Sequence, residues 1–148
     1  MKIVRWIFVI PTAVFLWVVA DFISSLLLNV IIFIGSYIEL SPVLDVVVSP
    51  EHGGYHFVLF VSYFVAIYGG SSVAPSRKKA ISILLASLFV LLRFMMTYSV
   101  FINPSFTEDT PTQFVVGTIA ALIGAVLAVY MIGKKENISI LNKTNTLT

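Results

Sequence analysis

Cysteine is absent from the 148 residues, which removes disulfides, thiolate metal sites, thiol catalysis and cysteine lipidation together. Charge is scarce as well. Only 11% of residues are Asp, Glu, Lys or Arg, against about 25% in a soluble domain. A soluble fold with so little polar side chain could not cover its surface. There is also no phosphate-binding glycine loop, no CxxC pair and no evident nucleophile–base set. No internal repeat or low-complexity tract is visible.

What is present is apolar side chain, 59% of the residues, with a mean hydropathy of +1.03. Lipid as solvent removes the difficulty, because apolar surface facing hydrocarbon costs nothing. A chain of this length forms one domain. Crossing a hydrocarbon core about 30 Å thick takes roughly 20 apolar residues in a helix. Four runs qualify, over about 5–34, 55–74, 80–102 and 112–133. None has the alternation of barrel strands. The expected fold is therefore all-α: a polytopic transmembrane four-helix bundle over 1–133, followed by a polar cytoplasmic tail, 134–148, disordered in part.

The punctuation between runs agrees. Gly69-Gly70 and Pro75 are expected to close the second helix, and Ser76 to cap the third. Asn103-Pro104 ends the third, and Thr110-Pro111 starts the fourth as N-cap and first helical residue.

The charges sort by side. Lys2, Arg5, Arg77, Lys78, Lys79, Lys134, Lys135 and Lys143 fall on one side, with Glu136 as their only acid. Glu39, Asp45, Glu51, Glu108 and Asp109 fall on the other, with no basic residue. The positive-inside rule makes the basic side cytoplasmic, both termini included, in what we read as a bacterial inner (plasma) membrane. The net charge of +2 is then a topogenic feature before it is a nucleic-acid or lipid site. Tyr37, Tyr55, Tyr98 and Phe106 mark the outer aromatic belt, and Trp6, Tyr68 and Tyr130 the inner one.

The first run is too long. As one straight helix, Ile3 to Ile38 would measure about 54 Å. Either Pro11 breaks it, leaving residues 1–10 at the inner interface, or it projects outward past Asn29. Residues 1–20 also imitate a signal peptide, but the apolar run continues past Asp21, so an uncleaved first helix is expected. Between the first two spans, Leu44, Val46, Val47 and Val48 are too apolar for a free loop, and a short interfacial helix is expected there. The sequons at Asn137 and Asn142 fall on the cytoplasmic side and are read as chance.

Two charges lie within spans, Asp21 and Arg93, each costing about 2.5–3.5 kcal/mol at mid-bilayer. Asp21 is 16 residues past Arg5 and Arg93 is 14 past Lys79, about 24 and 21 Å along their helices. Asp21 shares a face with Ser24, Ser25 and Asn29, and Arg93 with Ser82, Ala86 and Thr97. The spacing predicts two polar stripes meeting in an intramembrane charge pair. A register-fixing ion pair is the simpler interpretation, because the two charges neutralise each other; an ion or proton route is the functional one.

A small-residue face runs along the fourth helix through Gly117, Ala121, Gly124, Ala125 and Ala128, and the second repeats it with Ser62, Ala66 and Gly70. Close backbone approach is what drives helices together in lipid, so one face is expected to serve the bundle and another an oligomer. His52 and His56 stand four apart near Glu51, but Gly53-Gly54 separates them and no third strong ligand is evident. They are read as interfacial histidines in preference to a metal site.

The extramembrane segments are too short for a catalytic domain. The expected role is non-enzymatic: an oligomerising anchor or sensor subunit of a membrane complex, without cofactor or nucleic acid, docking a partner at the cytoplasmic face. Immunity and phage-exclusion proteins are small bundles of this kind. The alternative is an ion channel or proton-coupled small-solute transporter lined by the Asp21 and Arg93 stripes. Four helices with an acid in the first share the outline of the small multidrug exporters, but not their motifs.

Overall fold

The computed structural model describes residues 2–37, 54–102 and 111–145. They form four helices: α1 (Lys2–Tyr37), α2 (Tyr55–Val73), α3 (Lys78–Ile102) and α4 (Pro111–Asn145). All four are long and apolar enough to cross a membrane. The short interfacial helix expected between the first two spans lies outside the described residues, and every described helix is long.

α2 is the hub. One flank carries α1, another carries α4, and α3 packs mainly on α4 and less on α2. The core joins Leu59, Tyr63 and Ile67 of α2 to Leu85 and Phe89 of α3 and to Ala121, Ala125 and Ala128 of α4. Val9 and Ala13 of α1 complete it beside Ala74.

The over-long first run is a single helix of 36 residues with Pro11 inside it. Proline within a helix forfeits one hydrogen bond and crowds the preceding turn. Here Val9 and Ala13, on either side of it, are buried in the same core cluster. Packing on both sides holds the helix through the proline, so the break considered at Pro11 does not occur.

Glycines set the register between α1 and α2. A Cβ on Gly70 would lie 2.6 Å from the Ala13 Cβ; one on Gly69 would collide with Leu16, and one on Gly54 with Leu28. Residues 9–28 of α1 therefore lie level with the whole of α2, over about 30 Å. The surplus extends at both ends, as residues 2–8 and 29–37. Gly69 and Gly70 do not close α2, which runs on to Val73. They are close-approach points, and the helix ends where the Ala74 N–H bonds the Ser71 carbonyl at 3.2 Å.

α4 remains helical to Asn145, through most of the polar tail expected over 134–148. No described glycine has a positive φ, so Gly133 does not terminate it. Glu136 gives the extension a tertiary anchor: its Oε2 accepts the Lys79 backbone N–H at 3.0 Å. That N–H belongs to the first turn of α3, where backbone donors lack helical partners. The cap expected from Ser76 is thus supplied by a residue 57 positions later. α3 itself begins at Lys78, after Arg77 with φ 52°.

Candidate functional site

The two intramembrane charges have different surroundings. Asp21 is half-buried in the seam between α1 and α2, where Ser62 Oγ reaches its Oδ1 at 3.4 Å. The same hydroxyl lies 2.8 Å from the Val58 carbonyl. Its single hydrogen serves one acceptor at a time, and the shorter contact is the better bond.

Arg93 lies in the other seam, between α2, α3 and α4, and is 5% exposed. Its Cζ sits 4.8 Å from the centroid of the Phe114 ring, within cation–π range. A Cβ on Gly117 would lie 2.8 Å from its Nη2 and 3.5 Å from His56 Nδ1. The missing side chain at 117 is what admits the guanidinium. Among the described residues, Nε and Nη2 are buried without a hydrogen-bond partner. One turn along α3, the Thr97 and Thr118 hydroxyls meet at 2.9 Å. Thr97 is also 2.9 Å from the Arg93 carbonyl, and Thr118 is 2.7 Å from that of Phe114.

No ion pair between Asp21 and Arg93 is among the contacts of the described residues. Trp17 and Phe89, each four residues before one of the charges, meet with ring centroids 6.2 Å apart, so the two helices are in similar register there, but arginine is long. Its guanidinium reaches the level of His56 and Leu59, at the start of α2. The Asp21 carboxylate lies at Ser62, three to six residues or about 4.5–9 Å further along that helix. They also meet different flanks of α2.

The polar stripes are likewise interrupted. Ser82 is buried near the start of α3 and donates to the Lys79 carbonyl at 2.7 Å. Leu85 and Phe89, both core residues, separate it from Arg93. On α1, Ser25 is half-buried and Asn29 exposed, beside Phe22, Leu26 and Phe33 in a shallow groove on that helix's own surface.

The small-residue faces are both occupied within the chain. A Cβ on Gly124 would lie 2.5 Å from the Phe60 carbonyl oxygen, so α4 meets α2 backbone to backbone. Gly117, Ala121, Ala125 and Ala128 are buried along the same helix. Ser62, Ala66 and Gly70 are buried too, with Ser62 against Asp21 and Gly70 against Ala13. His52 lies outside the described residues; His56 packs on Tyr55 with ring centroids 5.9 Å apart.

Sequence reasoning missed Phe114 and Thr118 as neighbours of the buried charge. A signal existed: Phe114, Gly117, Thr118 and Ala121 share one helical face at spacings of three and four.

No family model, no curated protein and no solved structure matches the chain.

Proposed function

We propose that this protein is a non-enzymatic subunit of a membrane complex, and that it docks its partner within the bilayer through α1. The observation that carries this reading is the one-sided attachment of α1. Its main packing is on α2, and Phe15, Val18, Phe22, Ile23, Leu26 and Leu27 are 50% or more exposed. Lipid can cover apolar side chains, but Ser25 and Asn29 lie in the same surface. A polar group there gains from a partner helix that offers it a hydrogen bond. Beyond the start of α2, Val30, Ile31, Phe33 and Ile34 continue the exposed apolar surface.

The partner is a transmembrane helix of another protein or of a second copy, and docking at α1 replaces the expectation that small-residue faces mediate assembly. The basic end, with both termini, faces the cytoplasm of a bacterial cell by the charge asymmetry. A transporter would need one polar route through the bundle. The separation of Asp21 from Arg93, with Leu85 and Phe89 between the polar levels of α3, argues against that reading.

A photo-crosslinking side chain at Leu26, compared with one at Leu84 on the exposed face of α3, tests the proposal in intact membranes. Leu26 should give a discrete protein adduct and Leu84 only lipid. Weighing the intact complex in mild detergent then tells a second copy from a different partner. Lipid adducts alone at Leu26, with a monomeric mass, would overturn the reading.

A further inference from the structure

At the basic end, the turn between α2 and α3 faces the extension of α4 across a cavity of about 490 Å³. That lies within the range of small-molecule sites, roughly 300–1,000 Å³. Its walls carry Arg77 from the turn, Lys78 from the start of α3, Lys135 from α4 and Tyr68 from α2. Glu136 is the one acid in the lining, and its carboxylate is engaged by the Lys79 N–H. Three cations thus line the cavity against one carboxylate, an excess of positive charge. In the sequence these residues read as a topogenic signal and a tail. The fold makes them a concave site by keeping α4 helical past Gly133.

The other wall fixes the class of ligand. Ile132 and Pro75 line the same cavity, and Ile132 and Tyr68 belong to the apolar spans. A ligand filling the cavity meets cations and hydroxyls on one side and the hydrocarbon boundary on the other. Basic pockets between transmembrane helices at this level suit anionic lipid headgroups. We infer that the cavity between the α2–α3 turn and the α4 extension binds the phosphate of an anionic phospholipid, with Arg77, Lys78 and Lys135 as its ligands.

Arg77 offers a variant that separates binding from folding. Its φ of 52° is in the left-handed region, which glycine adopts without strain. Arg77→Gly therefore removes the cation while easing the backbone. The experiment is native mass spectrometry of the full chain in mild detergent, titrated with short-chain phosphatidylglycerol, phosphatidylcholine or inorganic phosphate. Phosphatidylglycerol should bind at least tenfold more tightly than phosphatidylcholine. Arg77→Gly and Lys135→Gln should each weaken it about fivefold, the factor for about 1 kcal/mol per cation. Lys134→Gln removes the same charge from a different groove and should leave binding unchanged. An equal loss with Lys134→Gln would mean diffuse attraction and no site. Inorganic phosphate displacing the lipid at equal concentration would overturn the lipid assignment. Neither outcome bears on α1 as the docking helix, since no residue is shared.

Discussion

Arg93 shows what a one-dimensional register can and cannot reveal. Counting residues placed its Cα level with that of Asp21, and the contact of Trp17 with Phe89, four residues earlier on each helix, agrees. The count could not include the length of the side chain, which carries the guanidinium toward His56 and Gly117. Long cationic side chains in membranes reach for a more polar level in this way. The two charges should therefore behave as independent sites. In a cycle of Asp21→Asn, Arg93→Gln and the double variant, thermal stabilities in detergent should add to within about 0.5 kcal/mol. A coupling of several kcal/mol would restore the buried ion pair. The orphaned Nε and Nη2 make a second expectation. Arg93→Met removes donors that lack partners, so it should stabilise the isolated protein by about 1–3 kcal/mol. A lower melting temperature for this variant would show that the guanidinium is satisfied.

At the scale of helices, identical substitutions should have opposite effects, because the glycines differ in what surrounds them. Gly124→Ala forces a methyl group against the Phe60 carbonyl, a backbone atom that cannot step aside. It should cost about 1–3 kcal/mol as overpacking. Gly133→Ala meets nothing nearer than Lys79 Cδ at 3.5 Å, so it should stabilise α4 by about 0.5–1 kcal/mol through helix propensity. Thermal unfolding of the two variants side by side checks both signs. Both glycines sit in one apolar run, and the sequence says only that small residues recur there. The span limits were more legible, since α2, α3 and α4 begin within two residues of the apolar runs that mark them. The continuation of α4 was not, because its anchor is a contact between Glu136 and Lys79, 57 residues apart.

For the whole molecule, Arg77, Lys78, Lys79, Lys134 and Lys135 gather at one end of the bundle. Cysteines placed at Ser76 and Asn142 should react with an impermeant maleimide from the cytoplasm only, and those at Ser49 and Thr107 from outside only. A single site on the wrong face would break the four-span topology. The central place of α2 bears on how the protein is made. α1 emerges first, and its packing partner is the next helix, so an α1–α2 hairpin can form while synthesis continues. The other flank of α2 waits for α4, two spans later in the chain. Until then the Phe60 backbone surface and the pocket for Arg93 have no cover. A nascent chain halted after α3 would hold a finished hairpin beside an unpaired arginine helix. Quality-control proteases in the membrane should clear such truncations far faster than the full-length chain.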